Sequence, residues 1–321
     1  MKNLGRRALT LTLGLAAGLA APAVAQPVRP VTFVVAYPPG GDTDALARLF
    51  ADRLTPRLGR QVIVENRSGA SGAVGTQYVA RVPPDGSVLL FAPSTFPIAP
   101  LVLKQGVNYN PVGDFTPVHM IATNPIVLVA SKQSGIRSLA DVVAQAKAGQ
   151  LVGYGSPGSG SPMHIYAEMF NHLAKLQLTE ISYRGVAPVV NDLLSGSLGV
   201  GLVTIGAVYD HFNAGTLVPV AVSEAARSPV LPNVPTYKES GYDLDVTTWW
   251  GLFGPRGLPA PMVDAMNAHM NDVLAMPDVQ ERLAAFGGVP AGGPPSRLAE
   301  VNRADFERFG RVVRELNIRV E

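Results

Sequence analysis

The 321-residue sequence contains no cysteine. That absence excludes disulfides, thiolate metal sites, a cysteine nucleophile and a lipid-modified N-terminal cysteine. Charge is also scarce: Asp, Glu, Lys and Arg make up 16% of the chain, 26 basic residues against 24 acidic. Lys2, Arg6 and Arg7 lie in a short N-terminal segment, and the remaining chain holds 23 basic and 24 acidic residues. Such a balance gives no electrostatic reason to expect nucleic acid as a partner. Beyond that segment, the uncharged run at residues 86–103 is broken by prolines and does not read as a membrane span. The five histidines (His119, His164, His172, His211 and His269) show no metal-ligand spacing, and no Gly-x-Ser-x-Gly nucleophile elbow occurs. The residues therefore nominate no metal, no cofactor and no catalytic group.

What is present is apolar content, glycine and proline. A hydrophobic fraction of 47% makes the chain globular rather than disordered, and 33 Gly with 28 Pro imply many short, sharply turned connections. At the N-terminus, Lys2, Arg6 and Arg7 precede an uncharged stretch ending in Ala23-Val24-Ala25. Basic residues, a short apolar core and an A-x-A site predict a cleaved secretory signal peptide over residues 1–25 and an exported chain from Gln26.

The rest repeats one cycle: apolar run, Gly/Pro loop, amphipathic segment. Residues 31–37 (VTFVVAY) read as a strand buried on both faces, and residues 42–58 as a helix with Leu46, Phe50, Leu54 and Leu58 in one stripe, its last turn distorted by Pro56. Further strands are predicted at 61–65, 87–92, 151–155, 180–183, 199–204 and 217–222. Helices are predicted near 75–82, 138–148, 161–174, 187–194 and 207–214, and the chain from about Pro261 is mostly helical. Ser161 is placed as an N-cap with Pro162 at the first helical position. Alternating strands and helices predict α/β architecture with parallel-type sheets covered on both faces, and the length suits two of them. No low-complexity linker separates them, so the chain is expected to cross between domains as extended segments at 121–131 and 247–255.

In open α/β sheets, ligands bind beyond the carboxyl ends of the strands. Two loops there stand out: residues 37–44 (YPPGGDTD) and residues 155–162 (GSPGSGSP). Each combines glycine-bared amides with a following helix N-terminus and neither contains Lys or Arg, which suits a small carboxylate better than a polyphosphate. Each also reads simply as a tight strand-to-helix turn, which needs glycine in any case. Gly153-x-Gly155-x-x-Gly158 has the dinucleotide-binding spacing, but the acid that should close the following strand, Glu180, opens it instead. Trp249 and Trp250 are candidate cleft walls, with one of them expected in the core.

The run at residues 37–86 (YPPGGDTDALARLFADRLTPRLGRQVIVENRSGASGAVGTQYVARVPPDG) closely resembles the substrate-binding receptors of tripartite tricarboxylate transporters, the Bordetella uptake gene family. The resemblance continues through DFTPVHMI (114–121), YGSPGSGSPMHIYAEMF (154–170), YRGVAPVVNDLLSG (183–196), RSPVLPNVPTYKESG (227–241) and WWGLFGPRGLP (249–259). It implies a monomeric, periplasmic, two-domain α/β binding protein of the type II-like flytrap class, with two crossover strands. The expected division is a first domain from 26–124 and 249–321 and a second from 125–248. The family also implies a small organic carboxylate as ligand and a two-component membrane permease as partner, with no cofactor. Carried over residue by residue, it nominates Tyr37, Gly40, Gly41 and Asp44 from the first loop. Ser156, Ser159, Ser161 and His164 come from the second, with Ser94, Thr95, Tyr183, Arg184 and Thr204 as rim contacts. The chain departs from the family's usual pattern at Arg184, where Lys is usual, near Gly199, where an Asp is usual, and at Asp42, commonly a small residue. The extra acid at Asp42 is expected to disfavour a highly negative ligand, or to favour one bearing an amine or hydroxyl. Two competing readings are an exported hydrolase or lyase using Asp44 and His164, and a ligand-sensing partner of a signalling protein.

Overall fold

In the computed structural model, residues 29–103 and 107–318 are described, so the signal peptide expected at 1–25 lies outside the described residues. The first half of the chain runs β1 (Val31–Val35), α1 (Asp42–Leu58), β2 (Val62–Asn66), α2 (Ala73–Arg81), β3 (Val88–Pro93) and the short α3 (Ala99–Val102). A 17-residue strand, β4 (Phe115–Ser131), leads into α4 (Leu139–Lys147), β5 (Gly153–Ser156), α5 (Pro162–Ala174) and β6 (Thr179–Ser182). After these come α6 (Val186–Ser195), β7 (Val200–Thr204), α7 (Tyr209–Asn213) and β8 (Leu217–Val222). The chain returns through β9 (Thr247–Pro255) to α8 (Ala260–Leu274), α9 (Pro277–Ala285), β10 (Val289–Pro290) and α10 (Pro295–Glu315).

The elements form where the apolar pattern calls for them. β1 pairs in parallel with β2 and β3, and its side chains are buried on both faces. The stripe Leu46, Phe50 and Leu54 seats α1 on Phe33 and Phe91 of that sheet. Contrary to the distortion expected at Pro56, α1 continues through it to Leu58 and stops at Gly59 in a left-handed conformation. Ser138 caps α4, its hydroxyl accepting from the N–H of Asp141, and Ser161 caps α5 by accepting from the N–H of His164.

One continuous mixed sheet carries the strands in the order β2-β1-β3-β9-β4-β7-β5-β6, with β8 and β10 also pairing to β4. Only the outer groups are parallel. β9 runs antiparallel to both β3 and β4, and β4 runs antiparallel to β7 and β8, so the expected parallel-type sheets are joined by antiparallel strands. The reason is the crossing itself: one segment leads out of the first domain and the other leads back. β4 pairs with β9 over residues 115–125 and then with β7 and β8 over 126–131, so a single strand belongs to both domains.

Apolar clusters lie on both faces of each half. Leu46, Phe91 and Met270 lie in one first-domain cluster and Phe96, Trp249 and Phe253 in another, while Tyr166 and Phe170 lie in one second-domain cluster and Val189 and Leu193 in another. α10 supplies a third crossing. Leu298 near its start packs with Trp249 and Phe253, whereas Phe309 and Val313 pack with Tyr166 and Phe170. A buried hydrogen bond of 2.8 Å from Trp249 Nε1 to Asp305 Oδ2 ties α10 to β9. Three segments, β4, β9 and α10, therefore join the two halves.

Candidate functional site

A cleft of about 590 Å³ opens between the domains, at the carboxyl ends of β1, β3, β5 and β7. Of the sequence-nominated residues, Tyr37, Gly41, Asp44, Ser94, Thr95, Ser159, Ser161, Arg184 and Thr204 line it. Gly40, Ser156, His164 and Tyr183 stand behind its walls.

The first loop is pinned from behind. Asp44 accepts from Arg48 Nε (3.0 Å) and Nη2 (2.9 Å), from Asn66 Nδ2 (2.8 Å) and from the N–H of Gly40 (2.9 Å). Burial opposes its ionisation, but Arg48 and the other donors outweigh it and hold the carboxyl below the usual carboxylate range. Asn66 Nδ2 also donates to the carbonyl of Tyr37 at 3.1 Å. These bonds fix the loop where Gly40 turns it in a left-handed conformation. They also occupy the Asp44 carboxylate that the hydrolase reading required as a base. At the tip, Asp42 Oδ1 accepts from the N–H of Thr43 (2.7 Å) and from Thr43 Oγ1 (3.3 Å), and Thr43 Oγ1 in turn accepts from Trp250 Nε1 at 3.1 Å. Among the described residues the N–H of Gly41, at the start of α1, has no protein acceptor, while the N–H of Asp42 faces its own carboxylate.

The second loop satisfies itself far more completely than its glycine content predicts. The N–H groups of Gly158, Ser159, Gly160 and Ser161 donate to Ser156 Oγ, Ser182 Oγ, His164 Nδ1 and the carbonyl of Gly158. Glu180 clamps the loop from β6, accepting from Ser156 Oγ at 2.5 Å and Ser159 Oγ at 2.6 Å, with His164 Nε2 at 3.6 Å. His164 therefore works as a strut. Free on this side are the N–H of Met163, the hydroxyl proton of Ser161, whose oxygen already accepts from His164, and the Arg184 guanidinium. The glycines of the dinucleotide-like spacing have a packing role: a Cβ on Gly155 would lie 2.4 Å from Leu198 Cδ2.

At the rim, Tyr183 donates to Asp192 Oδ2 at 2.6 Å and points away from the cleft. Tyr37 hydroxyl pairs with Thr95 Oγ1, and burial pushes the phenol up to about 12. Trp249 and Trp250 are both almost fully buried and both line the cleft. Reading the sequence missed Asn124, Met163 and Thr248. Asn124, 2% exposed, lines the cleft from the crossing point of β4, and its Oδ1 has no hydrogen-bond partner. The available signal was a polar residue interrupting the apolar run IATNPIVLV.

Of the charged side chains lining the cleft, Asp44 is neutralised by Arg48, while Asp42 and Arg184 make no ion pair among the described residues. Water reaches Asp42 through the open cleft, yet the surrounding protein is dense, and burial raises its pKa above the usual carboxylate value. The arrangement can therefore hold a small anion between two helix N-termini and one guanidinium.

Comparison with known proteins gives a consistent result. Residues 46–318 match the family described as "Tripartite tricarboxylate transporter family receptor". The chain is 34% identical over 311 residues to Protein BugT of Bordetella pertussis, covering 95% of each. Among solved structures, R. palustris Rpa4515 with adipate is similar with a TM-score of 0.79 and 32% identity, over 91% of this chain and 99% of that one. MatC from Rhodopseudomonas palustris with bound malate is similar with a TM-score of 0.76 and 30% identity, over 90% of this chain and all of that one.

Proposed function

The chain belongs to the tripartite tricarboxylate transporter family of receptors, and from that membership we propose that it clasps one small organic carboxylate between its domains and hands it to a two-component membrane permease. It is a solute-binding receptor rather than an enzyme, as its family and its structural neighbours are. The observation that carries the carboxylate reading is the placement of unpaired donors. The N–H of Gly41 lies on one wall, and the N–H of Met163, the Ser161 hydroxyl and Arg184 lie on the other. Helix N-termini with unmatched amides attract anions, and a guanidinium forks onto a carboxylate. The carboxylates held by Rpa4515 and MatC support the same reading.

The ligand enters on the pinned first loop. The second domain then swings about β4 and β9 until Ser161, Met163 and Arg184 reach it. The closed form is favoured by its extra contacts with ligand, so ligand shifts the population toward it. Residues 1–25 direct export and are removed, which places the mature receptor in the periplasm facing the permease.

Native mass spectrometry of purified protein, followed by thermal-shift titration with a panel of carboxylates, tests this. The expected result is a co-purifying acid or a saturable rise in melting temperature with the acid recovered unchanged. Absence of stabilisation by every carboxylate, or conversion of the acid, refutes it. N-terminal sequencing of the periplasmic protein is expected to begin at Gln26, and deletion of the permease it serves is expected to abolish uptake while leaving binding intact.

A further inference from the structure

The donors account for a carboxylate but leave two acceptors of the same cleft unexplained. Asn124 is almost wholly buried, and its side-chain amide makes no hydrogen bond among the described residues. An unmatched buried polar group costs about 1–3 kcal/mol, so a polar ligand atom is its natural complement. The second acceptor is Asp42. Its Oδ1 is held by Thr43, and no other residue among the described ones donates to its Oδ2.

Both belong to one wall. In the β4–β9 ladder, Asn124 pairs with Thr248 and Ala122 with Trp250, and Trp250 Nε1 donates to the Thr43 hydroxyl that donates to Asp42. Across from them stands Arg184, the one charged lining residue of the second domain. With Asp44 neutralised by Arg48, the charges left to the ligand are one negative and one positive. A dicarboxylate would place its second negative group against Asp42, in a site partly shielded from water where like charges repel strongly.

We infer that this cleft selects a small acid that also carries an ammonium group, its carboxylate taken by the free amides and Arg184 and its ammonium by Asp42 and Asn124. The assignment rests on the carboxylate-receptor reading above and narrows it to amino acids. An ammonium on Asp42 Oδ2 makes a hydrogen bond charge-assisted on both sides, and turning the Asn124 amide over brings its unmatched oxygen, closed off in this structure, to the same group. The backbone amides and Arg184 would accept any carboxylate; discrimination comes from the two acceptors, because a ligand lacking the donor leaves Asn124 unpaired and, once the cleft closes, shuts Asp42 away from water without a partner.

Calorimetric titration of the purified protein with acids of matched chain length is the test. The six-carbon series is norleucine, 6-aminohexanoate, adipate and hexanoate, and the four-carbon series is 2-aminobutyrate, 4-aminobutyrate, succinate and butyrate. In at least one series an amino acid is expected to bind more than about tenfold tighter than its dicarboxylate and simple-acid counterparts. Asp42→Asn and Asn124→Leu should each narrow that ratio to about threefold or less. Two results would overturn the inference: a dicarboxylate or simple acid ranking first in every series that binds, or a ratio preserved in both variants. Failure of every acid in both series would instead remove the carboxylate reading beneath it.

Discussion

Gly206 sits in the turn after β7, where the second domain touches the first. A Cβ built on it would lie 2.3 Å from the carbonyl carbon of Phe286 and 2.4 Å from the nitrogen of Gly287, both backbone atoms of the turn after α9. Ordinary contact needs more than about 3.4 Å, and no side-chain rotation can relieve a clash with backbone. Gly206→Ala therefore forces the two turns apart by roughly an ångström. Because these turns belong to different domains, the cheapest relief is to hold the domains slightly open. Forced overpacking costs about 1–3 kcal/mol, and all of it falls on the form in which the turns meet. Ligand affinity is then expected to fall roughly 5- to 150-fold. An unliganded form in which the turns part escapes the clash, so the melting temperature should fall by less than the affinity loss implies. Calorimetry and small-angle X-ray scattering with and without ligand provide the readout, with Gly113→Ala, whose Cβ would meet nothing nearer than 3.4 Å, as the control. If Gly206→Ala binds as tightly as the control and compacts equally on adding ligand, contact between these turns is not part of the binding-competent form and the closure argument fails.

Arg184→Ala is expected to weaken binding of every carboxylate about 10-fold or more while leaving stability unchanged, since the guanidinium has no protein partner among the described residues; parallel calorimetry and thermal melts would show both. Asp44→Ala removes the acceptor shared by Gly40, Arg48 and Asn66, so it should lower both melting temperature and affinity, by about 1–3 kcal/mol of stability, although Asp44 is not assigned to the ligand. Glu224 supplies a pH signature. Burial raises its pKa from 4.5 to about 7, so the folded state binds the proton more tightly than the unfolded chain. The stability this contributes is complete below pH 4.5 and is lost as pH rises through 7. Glu224→Gln should flatten that part of the melting curve against pH and raise the melting temperature at pH 8; an unchanged slope would contradict the assignment.

Much of the fold was legible because burial on both faces leaves a plain mark in sequence. The run at 31–37, the stripe Leu46-Phe50-Leu54 and the Ser161-Pro162 start of α5 each specify their element locally. Strand direction was not legible in this way. A continuous apolar run looks alike whether its neighbours are parallel or antiparallel, so the antiparallel junction made by β4 and β9 needed long-range pairing to become visible. At the site, glycine content correctly located both loops but did not reveal which amides remained free. That depends on Glu180 and Ser182, which reach the second loop from a strand about 20 residues away. Asn124 escaped notice because one polar residue in an apolar strand has no meaning until its surroundings show that nothing pairs with it. Local signals located the loops; tertiary contacts decided which of their groups face a ligand.

The central claim is that one carboxylate is held, unreacted, between the start of α1 and the start of α5. Amide-resolved NMR titration of the purified protein with its tightest-binding acid tests this most directly. The account predicts saturable shifts at the N–H groups of Gly41, Asp42 and Met163, with the amides of Gly158–Ser161 moving less because each is already bonded within its loop. The same spectra should show the acid unchanged after hours. Saturable shifts confined to another face, or disappearance of the acid, would contradict it.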